Sequence, residues 1–123
     1  MCAFSPQSFE RVVDFILGPG TPKSEEYLRT AIGRAYYAAH LTARETLLAK
    51  GKVSPNKKGL IPHGDVIDVL KSGPLPSVGD KLHQLGKLRE VADYAVTSQI
   101  QLSDAQNAKA LVSEIITKLP NAV

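Results

Sequence analysis

The stretch KSEEYLRTAIGRAYYAAHLTARETLLAK, Lys23 to Lys50, contains no proline, and Gly51 follows it directly. Thr21 and Pro22 give a start signal ahead of it, with Ser24 a competing cap, and glycine is the usual residue past a helix end. The stretch predicts one long helix. At about 100 degrees per residue, Leu28, Ile32, Ala35, Tyr36, Ala39, Ala43 and Leu47 fall on one broad face. Tyr27, Ala31, Ala38, Leu41 and Leu48 cover much of the opposite side. A helix apolar nearly all round is normally enclosed by neighbours. This one is expected to be central, or to give one face to a second subunit, with its alanines letting other helices approach closely. Arg29, Gly33, His40 and Arg44 share the narrow remaining sector, while Arg34 lies away from it near Tyr27, Ala38 and Glu45.

The rest of the chain reads as helices separated by breaks. Ser5 and Pro6 pair an N-cap with a first-turn proline, and Phe9, Val12, Val13 and Ile16 recur at helical spacing until Gly18-Pro19-Gly20. Gly51 to Pro62 is a basic, turn-rich loop, HGDVIDVLK a short third helix, and SGPLPS a break. A fourth helix over Val78 to Val96 carries Leu82, Leu85, Leu88, Ala92 and Val96 as one buried stripe. Gly86 inside it costs about 1 kcal/mol relative to alanine, which a closely packed neighbour would offset. Ser103 and Gln106 suggest a capping box for a fifth helix that buries Ala105, Ala108, Val112, Ile115, Ile116 and Leu119 and ends at Pro120. VTSQIQL, Val96 to Leu102, reads as an extended connector. The expectation is an all-α, antiparallel bundle of four to five helices in one domain over residues 1–123.

Composition narrows the function classes. With 43% apolar and 22% charged residues the chain has the make-up of a globular domain. A net charge of +3 permits nucleic acid without demanding it. Cys2 is the only cysteine, so neither an intrachain disulfide nor a thiolate metal cluster is expected, and a cytoplasmic setting fits best. The N-terminus lacks the pattern of a secretory signal, and no membrane span is expected. His40, His63 and His83 are scattered, without the close helical pairing of a zinc site, so no metal is expected. GPGTPKS lacks the ending of a phosphate loop, and no cofactor is expected.

Two motifs carry possible chemistry. In RAYYAAH, Arg34 to His40, the tyrosines are either packing residues with tethered hydroxyls, or neighbours of a polar site that includes Arg34 and His40. In LREVADY, Leu88 to Tyr94, Arg89 and Asp93 fall in the arc of the apolar stripe. Buried ions persist when paired. Arg89 and Asp93 can meet each other, and Asp93 could also accept from Arg34. One reading is an internal clamp; the other is a pocket in which Arg34 and Arg89 bind phosphate through their planar forks. Arg34, Tyr37, Arg89, Asp93 and Tyr94 are the expected polar centre. Lys50, Lys52, Lys57 and Lys58 of the loop, with His63 after it, are candidate phosphate or RNA contacts, or simply a solvated surface.

RTAIGRAYYAAHLTARETLL, PHGDVIDVL and LREVADY, in that order and at these separations, resemble the HEPN superfamily of small prokaryotic helical domains, within it an uncharacterised group with a RAYYA helix and a later R-x-x-A-D-Y helix. The resemblance covers roughly Lys23 to Leu119. It implies a bundle of four or five helices, a homodimer or hetero-complex, and pairing with a nucleotidyltransferase-type protein, as in toxin-antitoxin systems. Active toxin members are metal-independent RNases that use Arg, four to six residues, then His on a late helix. Here the late arginine is Arg89, and Tyr94, Ala95 and Val96 stand where that histidine would be. Arg34 and His40 do have the interval, but on the earlier helix. The resemblance therefore implies an interaction module, with an RNase using Arg34, His40 and Arg89 or a small-nucleotide binder as alternatives.

Overall fold

In a computed structural model, residues 4–123 are described, so Cys2 lies outside the described residues. Five helices follow one another: α1 (Phe9–Leu17), α2 (Glu25–Ala49), α3 (His63–Lys71), α4 (Pro76–Tyr94) and α5 (Leu102–Ala122). The chain is all-α, without a strand among the described residues. No described helix is long and apolar enough to cross a membrane.

Helix α2 is the central element and touches the other four helices. Its alanines at 31, 35, 38, 39 and 43 are fully buried and line several sides of it. Small side chains all round let neighbours close in without leaving voids. Leu28, Ile32, Tyr36 and Leu47 fill the remaining gaps against Val66 and Leu70 of α3, Leu82 and Leu85 of α4 and Val112 and Ile115 of α5, which belong to the same core. Gly86 on α4 is the close approach its position suggests: a Cβ there would stand 3.3 Å from the Tyr36 ring.

Several boundaries differ from the sequence reading. Ser5 and Pro6 start a 3-10 turn over Pro6–Ser8 before α1 begins, and Val12 is 40% exposed rather than inward. Ser24, not Thr21, precedes α2, because the Thr21 hydroxyl donates to Phe15 O and serves the end of α1. Helix α4 stops at Tyr94, so Val96, placed in the buried stripe by its spacing, is 83% exposed. The capping box of α5 lies two residues earlier than expected: Gln101 N–H donates to Asp104 Oδ2 at 2.8 Å, and the Gln101 side chain accepts from the Asp104 backbone. Pro120 sits inside the last turn instead of ending the helix, and Ala122 beyond it is buried at 1% exposure.

Candidate functional site

Helices α2 and α4 meet through a cluster of rings and cations. Arg89 on α4 donates through Nη2 to the Tyr37 hydroxyl at 2.9 Å and lies with Nε 2.8 Å from Asp93 Oδ2. Among the described residues the Nε–H finds no aligned acceptor, so the Asp93 contact is an ion pair rather than a well-directed hydrogen bond. The same guanidinium stands 5.3 Å from the Tyr37 ring centre and 5.5 Å from those of Tyr36 and Tyr94. These are cation–π distances. Burial opposes the charge on Arg89, but Tyr37 and Asp93 outweigh it and raise the pKa.

Arg34 is half-buried and joins this cluster from the other side. Its guanidinium lies 5.3 Å from the Tyr37 ring and 5.0 Å from Phe9 of α1, so Tyr37 is flanked by two cations. The bond suggested between Arg34 and Asp93 is absent: Asp93 pairs with Arg89, and Arg34 turns to the aromatic rings. All five residues of the expected polar centre are thus in one chain of contacts, but the centre is not buried, since Tyr94 is 70% exposed.

A second layer lies beneath it. His40 is 1% exposed, with its ring stacked on Tyr36 at 5.5 Å and 4° and tilted 38° against His63 at 3.8 Å. The Tyr36 hydroxyl and His63 Nδ1 share a 2.6 Å hydrogen bond. His40 Nδ1 finds no hydrogen-bond partner among the described residues. Burial, then the charges of His63, Arg44 and Arg89, pushes the His40 pKa down to about 3. Burial, then Arg89 and Arg44, also lowers His63. Burial pushes Tyr36 up to about 12, although Arg89 works the other way. Both histidines are therefore neutral at pH 7, and Tyr36 holds its proton.

His63 begins α3 and remains largely exposed. With Tyr36, Gly64, His83, Arg89 and Glu90 it lines a cleft of about 190 Å³ between α3 and α4. Sequence spacing did not connect His63 to Arg89, because the two line the cleft from different helices, α3 and α4. Lys52, Lys57 and Lys58 are exposed in the loop and do not reach this cleft. No group of three His, Cys, Asp or Glu side chains that could hold a metal ion occurs among the described residues.

Arg29 is the residue the sequence reading missed. Its Nη1 donates to Val91 O at 3.1 Å and Ala92 O at 2.8 Å, and its Nη2 to Ala95 O at 3.1 Å and Ser98 O at 2.5 Å. Glu25, one turn earlier, accepts from Ile100 N–H at 2.6 Å. Glu25 and Arg29 at four-residue spacing look like a solvated ion pair. The polar sector of α2 is in fact turned inward, with Arg29 on the end of α4, a Cβ on Gly33 lying 3.6 Å from Asp93, and His40 under His63.

The Arg89 cluster carries a stability prediction. Arg89→Ala is expected to destabilise the fold by about 2 kcal/mol, because it removes a charged hydrogen bond and leaves the Tyr37 hydroxyl without its donor. Arg89→Lys should recover part of that, since a point charge keeps the pairing and loses the fork. Urea unfolding measures both, and an unchanged midpoint in Arg89→Ala would refute the clamp.

Comparison of the chain with protein-family models, with curated proteins and with solved structures gives no match in any of the three. The fold and the site define an all-α bundle whose polar residues tie helices together around a small cleft.

Proposed function

We propose that this is a cytoplasmic HEPN-like interaction module, an antiparallel helical bundle that forms a homodimer and partners a nucleotidyltransferase-type protein in a toxin-antitoxin-like system. The observation that carries this reading is the burial of His40. The Arg34–His40 interval is the motif-like feature of the chain, and an RNase built on it needs the histidine at the RNA. At 1% exposure beneath Tyr36 and His63, His40 has no path to a phosphodiester. Arg34, the other half of the interval, is occupied with Phe9 and Tyr37. Both serve packing, which favours binding over catalysis.

The cleft beside His63 favours a second reading, a phosphate or small-nucleotide binder. It brings a neutral histidine and a charged arginine to one opening, the groups that a phosphate contact or a metal-independent RNA cleavage would need.

Sedimentation of the purified chain, co-purification with a nucleotidyltransferase encoded beside it, and incubation with total RNA in EDTA test the proposal together. A dimer that holds the partner and leaves RNA intact is expected. Cleavage abolished by His40→Ala would overturn it in favour of the RNase; cleavage abolished only by His63→Ala would move the site to the cleft.

A further inference from the structure

The loop after α2 is basic, but it is also ordered and apolar on one side. Asn56 organises it. Its Oδ1 accepts from Lys58 N–H at 2.9 Å and Leu60 N–H at 3.1 Å, its own N–H donates to Leu60 O at 2.8 Å, and its carbonyl accepts from Gly59 N–H at 2.9 Å. Gly59 has φ of 75°, a left-handed backbone that closes the turn and that glycine adopts without strain. Val53 and Ile61 pack against the core and hold both ends of the loop down.

This scaffold presents Leu60 outward. Both backbone polar groups of Leu60 are engaged, yet its side chain is 61% exposed. Leu48, on the last turn of α2, is 39% exposed across from it. Between them runs a groove of about 670 Å³ whose lining includes Leu48, Pro55, Leu60, Ile61 and Pro62. That volume is in the range that encloses a small ligand or several side chains. A rigid turn that holds a leucine in water is pre-organised, so a partner would not have to order it on binding.

The charge around the groove selects among occupants. Lys57 and Lys58 project at the tip of the turn, and neither is paired with a carboxylate among the described residues. Arg44 also lines the groove, where it faces Glu45 at 3.6 Å. Arg44 and Glu45 offset each other within the lining, so the uncompensated charge is that of Lys57 and Lys58 on the adjoining turn, which complements an acidic chain that carries large apolar side chains. Single-stranded RNA fits less well, because its bases bind by stacking on aromatic platforms and the lining has one aromatic ring, His63, beside Leu48, Leu60, Ile61, two prolines and the polar Arg44, Glu45 and Asn56.

We infer that the groove between the end of α2 and the 51–62 loop docks an acidic peptide segment of a partner protein, inserting one or two leucine-like or aromatic side chains over Leu48 and Leu60. The inference rests on the interaction-module reading and gives it a surface and a partner chemistry.

The test is selection of a phage-displayed random peptide library on the full chain, followed by titration of the selected peptides against wild type, Leu60→Asp and Lys57→Glu/Lys58→Glu. Leu60 is exposed, so its variant is expected to fold. Peptides rich in Asp and Glu with Leu, Phe or Trp should emerge, binding about tenfold more weakly to Leu60→Asp and losing affinity in high salt or on charge reversal. The inference is overturned by peptides without acidic enrichment, by equal binding by Leu60→Asp, or by dissociation of a wild-type dimer by Leu60→Asp, which would make the groove a face between copies. RNA binding lost in Leu60→Asp, with no peptide selected, would also overturn it. A dimer that holds its nucleotidyltransferase-type partner but selects no peptide leaves the interaction module standing and removes only the groove. Peptide binding at Leu60 by a partnerless monomer keeps the groove and removes the dimeric module.

Discussion

Arg29→Ala is expected to cost about 3 kcal/mol of folding stability, the largest effect of any single substitution considered. The Arg29 guanidinium, on a side chain 17% exposed, donates to the carbonyls of Val91, Ala92, Ala95 and Ser98. Val91 O also accepts from Ala95 N–H and Ala95 O from Ser98 N–H, so Arg29 matters most to Ala92 O and Ser98 O; the last carbonyls of a helix lack intrahelical donors, and a cation there also meets the negative end of the helix dipole. Alanine would remove the donors, and the part-buried carbonyls of Ala92 and Ala95 would lose a charged partner. Thermal unfolding should report a fall of about 10 °C, and hydrogen exchange should show the 91–101 segment opening first. Arg29→Lys should recover less than half, because an ammonium cannot span four acceptors as the fork does. If Arg29→Ala unfolds within error of wild type, the cap contributes nothing.

The second large effect is with pH. A histidine whose folded pKa lies below its unfolded value takes up a proton as the chain unfolds. Its contribution is complete above about pH 6.5 and is lost as the pH falls toward the folded value, which for His40 is about 3. His40 alone should therefore lower stability by about 1.4 kcal/mol per pH unit below 6.5, or close to 3 kcal/mol by about pH 4.5, before most carboxylates titrate. His63 shifts in the same direction and should steepen the fall. His40→Phe keeps a flat ring between Tyr36 and His63 and removes Nδ1, the buried nitrogen without a hydrogen-bond partner among the described residues. That variant is expected to match or exceed wild-type stability at pH 7 and to lose most of the slope between pH 6.5 and 4.5. An unchanged slope would assign the acid sensitivity elsewhere.

Both predictions concern side chains whose surroundings the sequence alone leaves open. The wheel of α2 assigned Arg29 and His40 to one polar sector, and polar sectors ordinarily face water. Here α4 and α3 lie over that sector. Arg29 finds carbonyls there, and His40 finds two rings. No local pattern encodes that choice, since it depends on which neighbour covers which face.

The number and kind of elements are legible along the chain. Proline and glycine breaks set the helices apart, small residues all round α2 made it the enclosed one, and the inward arc of α4 placed Arg89 beside Asp93, as observed at 2.8 Å. These features depend on spacing along one helix, and the 3.6-residue period carries them. Only the tertiary structure decided that Arg34 flanks Tyr37 instead of meeting Asp93, that His63 closes over His40, and that the 51–62 loop is an ordered turn with Leu60 exposed. Each of these is a contact between segments far apart in the chain or a choice of which side meets water. Such contacts are set by how the helices pack, and the period of a single helix does not contain them.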